Sequence, residues 1–213
     1  MSPPVGPTGL PSECDGSEPP TWQVTGSVSG FSTQINFDSN TRIAVEQLAT
    51  TATVGNFPSP RLGWSASAGG VVAGRIEGRD ISGGATVGGT LSWLPIYERP
   101  SRPFVAFTAS LGGAFVRALG DDAMQHTWWA FDLRGGVTVG KTFAERWVPY
   151  AAARTFGGLA FWEHAGASVS GGDRYHVTLG AGLIVRLPGS VDVTAEVMPL
   201  GERSAALGAT LHI

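Results

Sequence analysis

The sequence is short of charge, of lysine, of cysteine and of long hydrophobic runs, and each shortage removes a class of protein. Charged residues are 15% of its 213 positions, against roughly 25% in ordinary soluble domains. A net charge of -3 gives no electrostatic basis for binding nucleic acid. The single cysteine, Cys14, cannot close an internal disulfide. It has neither a CxxC partner nor a histidine at ligand spacing, so no metal site and no cofactor is expected. No apolar run reaches the about 18 residues that a transmembrane helix needs, which excludes a helical membrane protein. No charged n-region leads into an apolar h-region, so no signal peptide is read at the N-terminus.

What is present is alternation. Between Arg174 and Leu187 every odd position is apolar, from Tyr175 and Val177 to Val185 and Leu187. The even positions hold His176, Thr178, Gly180, Gly182, Ile184 and Arg186. A period of two belongs to a strand with two different faces. Val191, Val193, Ala195 and Val197 repeat it, as do Ala205, Leu207, Ala209, Leu211 and Ile213. The tight connections Pro188-Gly189 and Leu200-Gly201-Glu202 join these three strands.

The rhythm extends back to Trp22, with further strands predicted from Leu62, Ile81, Phe104, His126 and Trp147. In the first strand the apolar parity changes between Val28 and Ile35, which predicts a bulge near Phe31 to Thr33. Residues 41–57 fit either a strand (ATTATV) or a short helix (RIAVEQLA), and are read as strand. Residues 1–21, rich in proline, read as a flexible leader, leaving 22–213 as one β domain. The fold class is all-β, an antiparallel up-and-down barrel of about ten strands, with eight as the alternative.

Alternation alone does not say which face meets what. Three observations turn the apolar face to lipid. The polar face is mostly Gly, Ser, Thr and Ala, which suits a narrow lumen better than a wetted surface. Several strands reach the about 9–11 residues that a tilted membrane strand requires. Aromatics gather at two levels, as interfacial girdles do. Trp22, Trp64, Trp93, Phe104, Phe143, Trp147 and Tyr150 form one level, and Phe115, Trp128, Trp129, Phe161 and Trp162 the other. If Ile213 ends at the periplasm, the connections after Phe37, Ile76, Leu119, Trp162 and Met198 are external. The longest polar one, Glu163 to Asp173, is among them.

With its alternating strands and its closing LGATLHI, the chain resembles the small outer-membrane β-barrels of Gram-negative bacteria, the OmpA-, OmpX- and OmpW-like group. Gly208, Leu211 and Ile213 occupy the places of that group's C-terminal assembly signal, with Ile213 where an aromatic is usual. The resemblance implies an integral outer-membrane location with both termini periplasmic. It also implies insertion by the β-barrel assembly machinery and contact with the bilayer and lipopolysaccharide. No enzymatic activity follows from it.

The candidate site is a polar network in the lumen: Arg75, Asp132, Arg134, Arg154, His176, Arg186, Asp192 and Glu196. A hairpin centred on Gly189 sets Arg186 across from Asp192, a stabilising cross-strand pair. Such a network either fills the barrel and neutralises buried charge or lines a constriction selective for small solutes. The expected function is therefore structural, or passive passage of small solutes. Two alternatives stand beside it. One is an interaction module whose loops or leader bind an envelope protein partner. The other is a hydrolase using an external rim of His126 and His164 with Asp121, Asp122, Glu163 and Asp173. No spacing of acidic pairs and no strand serine beside a histidine supports that chemistry, and no catalytic residue is assigned. The paired glycines at 83–84 and 88–89 span no strand-to-helix transition, so they are not a phosphate loop.

Overall fold

Successive side chains of a strand point to opposite faces, and here that rule builds one continuous antiparallel sheet of eleven strands. The computed structural model describes residues 22–37, 41–119, 125–164 and 167–213. The strands are β1 (Trp22–Phe37), β2 (Thr41–Ser59), β3 (Leu62–Ile76), β4 (Arg79–Ile96), β5 (Phe104–Leu119) and β6 (Gln125–Gly140). They continue as β7 (Trp147–His164), β8 (Ala167–Asp173), β9 (Val177–Leu187), β10 (Val191–Leu200) and β11 (Arg203–His212). The proline-rich leader at 1–21 lies outside the described residues. Pairing of β1 with β11, from Gln23↔His212 to Ser32↔Arg203, closes the barrel.

Residues 41–57 are strand throughout, paired with β1 from Trp22↔Asn56 to Phe37↔Thr41. Ile43, Val45, Gln47 and Ala49 turn inward, while Arg42, Ala44, Glu46 and Leu48 turn outward. That is a strand's division, and it decides against the helix.

The number of strands depends on height. The end that carries Trp22 and Ile213 is called here the near end. There, β7 pairs with β9 from Trp147↔Val185 to Thr155↔Val177, and ten strands (β1–β7 and β9–β11) form the wall. Towards the far end, β7 pairs instead with β8, from Leu159↔Gly172 to His164↔Ala167. The other edge of β8 meets β1 at Ile35↔Asp173 and Phe37↔Gly171. The far section therefore closes with eight strands, β1–β8. Both strand counts read from the sequence occur in the one barrel. The hairpin β10–β11 stops part-way up the wall, so the connection after Met198 does not reach the far end. The stretch from Glu163 to Asp173, expected as a long external loop, is largely wall.

No bulge occurs in β1. Gln23, Thr25, Ser27, Ser29, Phe31, Thr33, Ile35 and Phe37 face inward without interruption. What changes is the chemistry of the interior, from hydroxyls and amide near the termini to an apolar core towards the far end. That core unites Phe31, Ile35, Phe37, Ile43, Val45, Val71, Ile76, Ile81, Val116, Trp128 and Trp162. On the outside of the same region stand Asn36, Arg42, Glu46, Arg75 and Asp80, all exposed. The far ends of β1–β4 thus follow the pattern of a soluble barrel, apolar within and polar without.

Nearer the termini the pattern is reversed. Leu91, Leu111, Leu133 and Leu207 leave 63–65% of their surface open, among a belt of exposed Val, Leu, Trp and Phe. Apolar area of that extent around a closed barrel faces lipid. The belt's aromatics include Trp22, Trp64, Trp93, Phe107, Trp129, Phe143, Trp147 and Phe161. Four residues predicted for the girdles lie inside instead: Phe104, Tyr150, Trp128 and Trp162, all buried. Each stands one position out of phase with its lipid-facing neighbours, so it fills the interior.

Candidate functional site: a charged layer inside the barrel

Between the far core and the near end lies a layer of buried ionised groups. Asp132 and Arg134 are two residues apart on β6, so both point inward. Arg134 donates from Nη2 and Nε to Asp132 Oδ2 at 2.6 and 2.8 Å, and its guanidinium carbon lies 5.3 Å from the centre of the Phe156 ring. Its Nη1 donates at 2.7 Å to Oε1 of Glu202. Glu202 comes from the tip of the β10–β11 hairpin, and the pair joins that tip to β6 across the interior. Glu202 is 1% exposed. Neighbouring Gly201 sits at φ +81, and a Cβ there would lie 2.0 Å from the Val177 carbonyl oxygen. Glycine lets the hairpin fold under the start of β9 and deliver the carboxylate inward.

A second cluster lies closer to the near end. Arg154 Nη2 donates to Glu196 Oε2 at 2.7 Å, and the Tyr150 hydroxyl donates to the same oxygen at 3.0 Å. Tyr150 reaches across β9 because position 182 is glycine; a Cβ there would meet the phenol oxygen at 2.3 Å. Hydroxyl pairs continue the polar wall on β1, with Thr25 and Thr210 at 2.8 Å and Ser27 and Thr51 at 2.7 Å. The opposite wall is apolar, where Leu94, Phe104, Ala106, Val148, Ile184 and Met198 pack as a smaller core. The expected narrow polar lumen is thus a layered, side-chain-filled interior in which the polar groups form one storey.

Of the predicted network, Asp132, Arg134, Arg154 and Glu196 come together in this layer. Asp192 and Arg186 do face each other across the β9–β10 ladder, but the Asp192 carboxylate lies 3.0 Å from His212 Nε2, near the terminal end. Arg75 is not in the lumen. The register shifts between Leu48 and Ala49 opposite β3, and the extra residue turns Arg75 outward, 3.2 Å from exposed Asp80. His176 is exposed too, its Nδ1 3.3 Å from the Phe156 carbonyl oxygen. It lies where the chain crosses from β8 to β9, so the β9 alternation does not govern it. Glu202 and Tyr150 belong to the layer without having been predicted. Glu202 sits in a turn, where no local signal marks it; Tyr150 shares the inward parity of Arg154 on β7, and its place among the girdle aromatics obscured that signal.

The rim proposed for hydrolysis falls on Asp121 and Asp122, and on the side chains of His126, Glu163 and His164, which lie outside the described residues. Asp173 is inside the barrel and buried. Among the described residues, no group of three or more His, Cys, Asp or Glu is arranged to hold a metal ion.

No protein-family model matches the sequence, and no curated protein sequence matches it. Solved structures do. The outer membrane protein OprG from Pseudomonas aeruginosa is 11% identical, with 93% of this chain and 98% of that one covered at a TM-score of 0.49. The translocator domain of the autotransporter NalP from Neisseria meningitidis is 12% identical, covering 90% and 88% at a TM-score of 0.50. The Pseudomonas putida toluene transporter TodX is 10% identical, covering 97% and 92% at a TM-score of 0.33. The likeness is one of fold: this chain is a small transmembrane β-barrel of the outer-membrane kind.

Proposed function

We propose that the protein is a structural outer-membrane barrel whose interior is closed at rest. Small polar solutes pass only when the charged layer is displaced. The termini are taken to face the periplasm and the eight-stranded section the outside. The observation that carries this reading is the Arg134 guanidinium, held between Asp132 and Glu202 beneath a packed apolar core. An ion crossing the barrel has to separate these charges in a medium of low dielectric and then enter a dry core, which is costly. The hydroxyl-lined wall nearer the termini supports the passage half of the reading, because it offers polar partners to a solute that enters there.

Planar-bilayer recording tests both halves. The wild-type chain is expected to give rare, brief openings. Glu202→Gln, which removes the charge that holds Arg134 to the hairpin tip, is expected to raise open probability at least tenfold. Steady conductance in the wild type overturns the closed state. Silence in wild type, Glu202→Gln and Arg134→Ala at every voltage removes solute passage and leaves the structural role alone.

A further inference from the structure

Where the wall changes from ten strands to eight, two arginines stand side by side on its outer surface. Both lie along the edge of β1 that faces away from β2. Arg203, the first residue of β11, pairs with Ser32. Arg174, directly after β8, donates its backbone N–H to the Gln34 carbonyl oxygen at 3.1 Å. Ser32 and Gln34 are successive positions on one face of β1, so the two arginines stand about 7 Å apart along the wall. Both are exposed. Each follows a carboxylate that faces the interior, Glu202 before Arg203 and Asp173 before Arg174, and both of those are buried. The arginines come from different chain segments, a hairpin tip and the crossing from β8 to β9, and the closing of the ring sets them together.

No neighbouring acid neutralises them. Arg174 donates from Nη1 to the neutral amide oxygen of Gln34, and its guanidinium carbon lies 5.4 Å from the centre of the Tyr175 ring. Among the described residues, neither arginine forms an ion pair, and the Arg203 side chain has no hydrogen-bond partner. The outward carboxylate in the row of Arg203 is Glu46, which pairs with Ser32 from the other side. It stands two strands away, about 10 Å, too far for a direct pair. Towards the near end the surface turns apolar at once. Gly30, the next outward position of β1, pairs with Leu48 and Ala205, and Val28 beyond it pairs with Leu207. Val28, Leu48 and Leu207 leave 40–64% of their surface open. The lipid-facing belt thus ends one row short of Arg203, which puts both guanidiniums at headgroup depth.

We propose that Arg174 and Arg203 clamp the phosphate of a membrane lipid whose chains run along Leu48, Val28 and Leu207. A guanidinium presents paired N–H donors that match phosphate oxygens, and two guanidiniums balance the double charge of a phosphate monoester. The Ser32 hydroxyl, outward in the same row, is a further donor. The apolar rows directly beneath are covered by acyl chains, which a soluble anion lacks. Bound there, the lipid ties the β10–β11 hairpin tip to the β8–β9 crossing on the outside of the wall.

Phosphatidic acid, which carries a phosphate monoester, is the probe. The full chain, folded in detergent with equal amounts of phosphatidic acid and phosphatidylcholine, is analysed by native mass spectrometry. One phosphatidic acid per chain is expected to stay bound, in preference to phosphatidylcholine, and excess inorganic phosphate does not displace it. Arg174→Gln/Arg203→Gln lowers its retention at least tenfold, whereas Arg117→Gln, at an exposed arginine of β5, leaves it unchanged. If the double variant fails to fold, Arg203→Gln alone decides, because it breaks no contact within the barrel. The proposal is overturned if the two lipids are retained alike, or if the variant that decides retains phosphatidic acid as well as the wild type. Complete displacement by inorganic phosphate also overturns it, since the site would then be one for a free anion.

Discussion

Glu196 receives two donors, Arg154 Nη2 and the Tyr150 hydroxyl, and this determines what a substitution there does. Removing one member of a buried pair strands the other, at a cost of about 3–5 kcal/mol, while replacing both by apolar groups of similar volume is nearly neutral. Arg154→Met is therefore expected to lower unfolding stability in detergent by about that amount. The triple variant Arg154→Met/Glu196→Leu/Tyr150→Phe, which leaves none of the three groups unbonded, should recover most of the loss. A triple variant no better than the single one would mean that the cluster does more than satisfy its own members. At this scale the sequence was only partly readable. Asp132, Arg134, Arg154 and Glu196 stood at inward positions of regular strands, and alternation was enough to find them. Glu202 sits in a turn, where alternation does not apply, and only the fold brings it to Arg134. Arg75 failed for the opposite reason, since a one-residue register shift reverses the face of every side chain beyond it.

Among the elements, β8 has the most to explain. It is short, rich in glycine and serine, and carries no clear apolar face, so its sequence resembles a loop. It becomes a strand because β7 and β1 both extend past the β10–β11 hairpin and leave edges with unpaired backbone groups. Such edges must be paired in a barrel that contacts lipid. The register sets Asn36 opposite Gly172, and paired residues of antiparallel strands lie within the Cα range that a disulfide spans. In a Cys14→Ser background, Asn36→Cys/Gly172→Cys is predicted to form that disulfide on mild oxidation of the folded protein, seen as a mobility shift lost on reduction. Asn36→Cys/Ser168→Cys, out of register, should not. Equal cross-linking of both pairs would mean that β8 is not held in the wall. The long strands, by contrast, were legible nearly end to end, because each has enough positions for its period to be counted.

For the whole molecule, the apolar face changes sides with height. Leu133 is exposed in the belt, whereas Glu46 is exposed beyond it, where the far ends of β1–β4 turn their apolar residues inward. Single fluorophores attached at Leu133→Cys and Glu46→Cys, again without Cys14, are expected to respond differently in vesicles of brominated lipid. The first should lose most of its emission to quenching and the second little. Similar quenching at both sites would place the far section in the bilayer and remove the distinction between belt and cap. The same inversion explains the parity change within β1, which imitates a bulge when one face is assumed apolar throughout.

The amino-acid sequence by itself determined the architecture: strands of period two, an apolar exterior, closure through the last strand, and inward charges wherever the alternation is unbroken. These follow from local geometry, because a strand's faces are fixed by counting residues. Only the tertiary structure decided that the wall has ten strands at one end and eight at the other, and that the far interior is a dry core. It alone brought the tip of a shortened hairpin to Arg134. Those features depend on which strand ends meet around a closed ring. That is a property of the whole circuit, and no stretch of chain carries it alone.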